Sequence, residues 1–201
     1  MTDYYYDKLL HIKTTGIQKG RTKSFHYHPY EATPYQALEE LCKHYEIKKR
    51  ERIVDFGCGK GRLNFYMHYY YQATVTGIEM NEQFYLEALA NMERYVKESQ
   101  NGELTFLCCL AEEYEIHPKD NCFYFFNPFS SQIFMKVIKR ILQSVEQYER
   151  EVDVILYYPS KEYIYFLEHY TAFNLIREIP IPEVFERNPN ERFLIYQLKF
   201  G

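Results

Sequence analysis

The segment 54–61 reads VDFGCGKG, in which Gly57, Gly59 and Gly61 directly follow a short apolar run. Because glycine has no Cβ, the backbone of such a turn can approach a ligand closely. A helix is predicted to begin at Arg62, and its first N–H groups would face the same ligand. The turn therefore predicts a binding site for a nucleotide-type ligand at the carboxyl end of a strand.

A carboxylate ends the next predicted strand, at Glu79, and Met80 follows it. An ionised carboxylate can accept hydrogen bonds from both hydroxyls of a ribose. Enzymes that use NAD place a carboxylate in the same way. Glu79 therefore predicts a ribose-containing ligand but does not identify it.

The spacing of the glycines narrows the class of ligand. A dinucleotide-binding turn has the pattern Gly-x-Gly-x-x-Gly, but here the third glycine comes one residue early and Arg62 takes its place; the P-loop pattern is absent. The spacing Gly-x-Gly-x-Gly, with Asp55 two residues before it, resembles motif I of class I S-adenosylmethionine-dependent methyltransferases. An NAD(P)-dependent oxidoreductase and an inactive cofactor-binding protein stay open as alternatives.

The resemblance covers about residues 52–158 and implies S-adenosylmethionine as the cofactor. It places Asp55 near the methionine end of the cofactor and Glu79 at the ribose. Ala111 and Glu112 would flank the adenine, although Leu110 stands where the family often has an aspartate. The residues that the resemblance assigns to the cofactor are Asp55, Gly57, Cys58, Gly59, Gly61, Glu79, Met80, Ala111, Glu112 and Asn127.

A second motif, Asn127-Pro128-Phe129, follows the fourth predicted strand. It is similar to the Asn/Asp-Pro-Pro-Tyr/Phe motif of amino-directed methyltransferases, but it lacks one proline. In that family the Asn oxygen accepts a hydrogen bond from the acceptor NH2 and the aromatic ring stacks on the acceptor, which orients the nitrogen. Asn127 and Phe129 are therefore the candidate catalytic residues. The alternative is a turn that only places Asn127 beside the cofactor.

The elements that must position these residues alternate between β-rich runs and helical runs. Strands are predicted at 52–56, 74–79, 103–110, 122–126, 152–158, 175–181 and 192–200, and helices at 34–45, 62–71, 81–99, 132–145 and 160–170. Thr33 is the predicted N-cap of the first helix. This order predicts an α/β fold of the Rossmann-like methyltransferase type: a mostly parallel seven-stranded sheet with helices on both faces and a C-terminal antiparallel hairpin.

Length and charge predict how the chain is organised. Its 201 residues suit one domain, predicted at 31–201, after a basic N-terminal arm at 1–30 that has no acidic residue between Lys8 and His28. We expect the arm to be solvated or to meet an anionic acceptor. The segment around Tyr30, Thr33 and Tyr35 is where such methyltransferases often close over the cofactor, and helix-cap and core roles are the alternative.

Other features bear on compartment, metals and partners. No apolar run approaches the ~20 residues of a membrane span, and the N-terminus lacks the pattern of a signal peptide, so we expect a cytoplasmic protein. The cysteines and histidines have no spacing typical of a metal site, and Cys108 and Cys109 are predicted to be reduced core residues. The acceptor stays open among RNA, DNA, protein and a small molecule; the basic arm favours RNA although the net charge is −4.

Overall fold

The structure is a computed structural model that describes residues 3–16, 30–47, 51–95 and 102–199. The strands in these ranges are β1 Arg52–Phe56, β2 Thr74–Glu79, β3 Leu104–Cys108, β4 Cys122–Phe125, β5 Val152–Tyr157, β6 Asn174–Pro180 and β7 Arg192–Leu198. The helices are α1 Asp3–Leu9, α2 Tyr35–His44, α3 Arg62–Tyr71, α4 Glu82–Arg94, α5 Ser131–Gln147 and α6 Lys161–Tyr170, with a short 3-10 helix at Ala111–Glu113. None of these helices is both long and apolar enough to cross a membrane.

All seven strands form one sheet in the order β3-β2-β1-β4-β5-β7-β6. The pairings among β1 to β5 are parallel, whereas β7 runs antiparallel to both β5 and β6. The predicted fold is thereby confirmed. Because the strand order reverses between β1 and β4, the turns after these two strands meet at the switch point, where open α/β sheets bind ligands.

The core lies on both faces of the sheet, as expected for parallel strands covered by helices. Successive residues of β1 divide between the faces: Ile53 belongs to the apolar cluster that includes residues of α2 and α3, and Val54 to the cluster that includes residues of α5 and α6. The first cluster also contains Tyr6 of α1 and the following Leu10. These two apolar clusters hold the helices against the sheet and thereby fix the carboxyl ends of the strands, where the site residues meet.

The N-terminal residues that the structure describes are folded onto the domain. Asp7 is buried, and its carboxylate accepts hydrogen bonds from the N–H and the hydroxyl of Thr14, both at 2.7 Å, and from the hydroxyl of Tyr35 at 2.8 Å. Residues 3–16 of the predicted arm are therefore packed rather than solvated. Residues 17–29, which carry most of its basic side chains, lie outside the described residues.

Two local predictions are wrong. Thr33 does not cap α2: the cap position is Pro34, and the Thr33 hydroxyl is buried and hydrogen-bonded to the hydroxyl of Tyr124 at 2.8 Å. Cys108 is exposed rather than in the core, because β3 lies at the edge of the sheet and most of its side chains are not covered. β3 is also shorter than the strand predicted at 103–110.

The helix predicted at 81–99 corresponds to α4, which ends at Arg94. Residues 96–99, at the end of the predicted helix, lie outside the described residues.

Candidate active site

A cavity of about 650 Å³ opens at the carboxyl ends of β1, β2, β4 and β5. Its wall includes six of the predicted site residues: Gly57, Glu79, Met80, Ala111, Asn127 and Phe129. Its volume is that of a typical small-molecule site, and most of its accessible lining is apolar. The structure thus brings both predicted motifs and Glu79 to one cavity.

The other predicted cofactor residues, Asp55, Cys58, Gly59, Gly61 and Glu112, are not on the cavity wall. The first four are buried: Asp55 lies on β1 before the glycine turn, and Cys58, Gly59 and Gly61 belong to the turn itself. Glu112 is turned toward α5, where its carboxylate pairs with the ammonium of Lys136 at 3.7 Å. The prediction that Glu112 contacts the adenine therefore stays a prediction, and Ala111 is the residue of this pair that reaches the cavity.

The glycine turn has a backbone that few other residues would adopt. Gly57, Gly59 and Gly61 have φ angles of 81°, 54° and 86°, in the left-handed region that favours glycine. The N–H groups of Gly57 and Cys58 both donate to the carbonyl of Ile78, at 2.8 and 3.1 Å. The turn is thereby tied to the end of β2.

Glu79 is buried at 8% exposure, and both of its carboxylate oxygens are held by backbone N–H groups. Oε2 accepts from Gly59 at 2.9 Å, and Oε1 accepts from Asn81 at 2.7 Å. Burial raises the pKa of Glu79, and these hydrogen bonds oppose the rise because they favour the charged form. The carboxylate is therefore fixed between the glycine turn and the start of α4.

Asp55 is a second buried carboxyl, on β1 and directly before the glycine turn. Burial and, second, the charge of Glu79 raise its pKa to about 8. Its side chain is 4% exposed. At neutral pH the carboxyl therefore holds a proton for most of the time.

The second motif is less open than its resemblance implies. Asn127 is half-buried with a φ of 38°, whereas Phe129 is 1% exposed. The Phe129 ring packs edge-on against Phe125 at 6.1 Å between centroids. The backbone carbonyl of Phe129 accepts a hydrogen bond from the hydroxyl of Tyr163 at 2.5 Å. Phe129 thus presents little surface to the cavity.

Arg62 belongs to this site although no motif in the sequence marks it. Arg62 is 4% exposed and lines the cavity, where its guanidinium donates to the hydroxyl of Thr14 and to the carboxylate of Asp3, both at 2.7 Å. It also lies over the ring of Tyr35, at 4.6 Å from the centroid. No local signal could have revealed this role, because the partners are 27–59 residues away in the sequence.

Tyr30 and the segment Thr14–Gly16 complete this side of the cavity. The Tyr30 hydroxyl donates to the carbonyl of Thr14 at 2.8 Å, and its ring packs against Phe84 at 4.8 Å between centroids. The ring also lies directly over Gly59, where any Cβ would collide with it. Tyr30 therefore does close over the glycine turn, whereas Tyr35 is a core residue.

Residues 32–125 match the family model of a methyltransferase domain. This match confirms the prediction of a methyltransferase domain. The predictions that the chain is an enzyme and that S-adenosylmethionine is its cofactor are confirmed as well. The matched range contains the glycine turn, Glu79 and Ala111, and it ends at Phe125, two residues before Asn127. No curated protein matches the chain in sequence.

Solved methyltransferase structures share the fold. An RNA methyltransferase from Salinibacter ruber, solved with S-adenosyl-L-homocysteine, is 15% identical with a TM-score of 0.58, over 83% of this chain and 92% of that chain. A methyltransferase from Thiobacillus denitrificans, solved with the same ligand, is 12% identical with a TM-score of 0.54, over 85% and 92%. The tRNA (uracil-54, C5)-methyltransferase of Pyrococcus abyssi is 14% identical with a TM-score of 0.55, over 84% of this chain but 40% of that chain.

Proposed function

We propose that the chain transfers the methyl group of S-adenosylmethionine to an amino nitrogen of an RNA base. The observation that carries the cofactor half of this proposal is the hydrogen bond between the N–H of Gly59 and the carboxylate of Glu79. This bond joins the glycine turn to Glu79, the carboxylate that we expect to hold the ribose, on one wall of the cavity. A surface glutamate would not be held by two backbone donors at 8% exposure.

The residues present fit this cofactor. The turn is so closely packed that a Cβ on Gly57 would lie 2.5 Å from Cβ of Pro128, so glycine is needed where the cofactor would meet the backbone. Glu79 would hold the ribose hydroxyls, and Ala111 would border the adenine. Asp55 does not line the cavity, and because its carboxyl holds a proton at neutral pH, it would have to release that proton to act on the methionine end through its charge. When bound, S-adenosylmethionine supplies an activated methyl group, so the protein mainly has to orient the reactants and exclude water.

On the acceptor side, the side-chain oxygen of Asn127 would accept a hydrogen bond from the acceptor NH2. This bond would fix the direction of the nitrogen lone pair. Its position supports this role, because Asn127 lies on the cavity wall at the end of β4, beside the turn that ends β1. Because Phe129 is buried, it would support the motif by packing in the core.

Two observations support RNA over DNA, protein or a small molecule as the source of that nitrogen. Structures with the same fold include proteins named as RNA, rRNA and tRNA methyltransferases. The described part of the basic N-terminal segment presents Lys8 and Lys13 as exposed cations. Lys13 directly precedes Thr14 and Thr15 of the cavity wall, and an exposed cation there would favour a polyanionic acceptor.

Calorimetry tests the cofactor half. S-adenosylhomocysteine and NADH are titrated in turn into the purified protein, with Glu79→Ala and a matched control, Glu82→Ala, which removes an exposed carboxylate three residues further on. We expect binding of S-adenosylhomocysteine alone. Its affinity should fall by about 1–3 kcal/mol in Glu79→Ala, as for the loss of charged hydrogen bonds, and stay unchanged in Glu82→Ala. Binding of NADH alone would instead indicate an oxidoreductase.

Transfer of a tritiated methyl group tests the acceptor half. The protein is incubated with labelled S-adenosylmethionine and separate RNA, DNA, protein and metabolite fractions. We expect label in RNA, lost in Asn127→Ala, and a labelled nucleoside whose methyl group is on an exocyclic nitrogen. Label in protein or metabolite fractions alone would refute the RNA assignment and leave the cofactor assignment intact.

A further inference from the structure

Two strand ends beside the cavity share a strained backbone. Asn127, after β4, has a φ of 38°, and Tyr158, after β5, has a φ of 51°. Both residues line the cavity, and each precedes a proline. Left-handed φ angles are rare outside glycine, above all for a bulky residue such as tyrosine, and strained residues of this kind concentrate at functional sites.

Tyr158 is held in this conformation at two points. Its backbone N–H donates to the carbonyl of Arg192 at 3.1 Å, at the start of β7. Its hydroxyl accepts a hydrogen bond from the side-chain amide of Asn188 at 2.9 Å, from the loop between β6 and β7. The loop therefore fixes the direction of the ring as well as its position.

The Tyr158 ring and the Phe126 ring form an aromatic wall of the cavity. Their centroids are 6.4 Å apart with an angle of 60° between the planes, and Phe126 rests in turn on Tyr157 at 4.7 Å. Both wall residues are half-buried, so part of each ring faces the cavity. Phe129, at 1% exposure, offers no comparable surface.

We infer that Tyr158, together with Phe126, stacks on the flat ring of a nucleobase whose amino group is presented to Asn127, and that Asn188 is a positioning residue for Tyr158. This inference rests on the proposed function and adds the residues that recognise the acceptor. An aromatic wall next to the predicted nitrogen-orienting residue suits a planar heterocycle. It would give an aliphatic amine of a protein side chain nothing to stack on.

The test uses the full chain with S-adenosylhomocysteine and a single-stranded oligoribonucleotide that contains 2-aminopurine, whose fluorescence falls when the base stacks. We expect quenching by the unmodified protein, and binding about tenfold or more weaker, without quenching, in Tyr158→Ala. Tyr165→Ala removes an exposed tyrosine of α6 and should behave as the unmodified protein. Calorimetry with S-adenosylhomocysteine on each variant shows that the fold and the cofactor site are retained.

The role of Asn188 is tested by a double-variant cycle, which also serves if Tyr158→Ala does not fold. Tyr158→Phe and Asn188→Ala each remove the same hydrogen bond but keep the ring. We therefore expect each to reduce quenching in part, and the double variant to lose no more than either single variant. Additive losses would refute the positioning role of Asn188.

Two results would overturn the stacking inference: quenching by Tyr158→Ala equal to that of the unmodified protein, or no quenching by the unmodified protein at all. If S-adenosylhomocysteine binds and methyl transfer to RNA is retained in either case, the proposed function stands and only the stacking inference fails. If the cofactor product does not bind, the proposed function itself fails.

Discussion

Gly57 and Pro128 are in direct contact: a Cβ added to Gly57 would lie 2.5 Å from Cβ of Pro128. This contact joins the turn after β1 to the turn after β4, which are 71 positions apart in the sequence. The two predicted motifs therefore form one wall, and the position of Asn127 beside the cavity depends on how closely the glycine turn approaches Pro128.

We expect Gly57→Ala to lower both stability and cofactor affinity. A Cβ would collide with a rigid proline ring, and a φ of 81° is strained for any residue with a side chain. The melting temperature should fall, and calorimetry should show binding of S-adenosylhomocysteine weakened about tenfold or more, because the two turns must separate.

Gly102→Ala is the matched control for Gly57→Ala. Gly102 also has a left-handed φ, of 79°, and its Cβ would lie 2.6 Å from the carbonyl oxygen of Ala73, but it does not line the cavity. It should lower the melting temperature while the affinity of the folded protein stays unchanged. Normal binding by Gly57→Ala would show that the contact with Pro128 has no part in shaping the site.

The parts of the site that could be predicted are those set by local pattern and strand order. The parallel topology brings Gly57, Glu79 and Asn127 to the carboxyl ends of β1, β2 and β4. Glu79 ends β2, and the other two follow strands whose glycine or proline boundaries are visible in the sequence. Arg62 could not be assigned in this way, and Tyr158, at the end of a predicted strand before Pro159, could either face the pocket or simply end the strand. Their roles depend on distant partners, Asp3 and Asn188, which only the folded chain brings near.

The pH dependence of stability should reveal the buried carboxyl of Asp55. Its pKa is raised to about 8, chiefly by burial, whereas an unfolded aspartate titrates near pH ~4. Between these values the folded protein holds a proton that the unfolded chain releases. The contribution of this proton to stability is therefore full below about pH 4, falls as the pH rises toward 8 and is lost above it. We expect the melting temperature to fall more steeply between about pH 5 and 8 in the unmodified protein than in Asp55→Asn.

A control for Asp55→Asn is Glu115→Gln, which neutralises an exposed carboxylate and should leave the slope unchanged. The same slope in Asp55→Asn and in the unmodified protein would show that Asp55 is ionised throughout this range. In that case its charge would be available to the cofactor at neutral pH without release of a proton.

Asp7→Ala should destabilise the protein and weaken cofactor binding together. The substitution leaves the buried donors of Thr14 and Tyr35 without their acceptor, at a cost of about 1–3 kcal/mol for each group left unsatisfied. Because Thr14 lines the cavity and holds Arg62, the loss should reach the site. Urea unfolding and calorimetry measure the two effects, and Lys8→Ala, an exposed change on the same helix, should produce neither.

Asn91→Ala should lower stability by about 2–3 kcal/mol, because this fully buried side chain on α4 joins three segments. Its Oδ1 accepts from the N–H of Lys13 and from Arg94, both at 2.8 Å, and its Nδ2 donates to the carbonyls of Lys13 and Lys60 at 3.2 and 3.0 Å. Urea unfolding with an unchanged m-value would show that the native state alone is affected.

Asn91→Asp separates the donor role of this side chain from its acceptor role. A carboxylate keeps the bonds from Lys13 and Arg94 but faces the two carbonyls with an acceptor, so we expect a loss at least as large as in Asn91→Ala. Met92→Ala, at the half-exposed neighbouring position, is the control and should change stability little. If Asn91→Asp were as stable as the unmodified protein, the donated bonds would not be needed to hold residues 13–16 in place. The position of this segment would then depend on other contacts, such as those with Asp7, Tyr30 and Arg62.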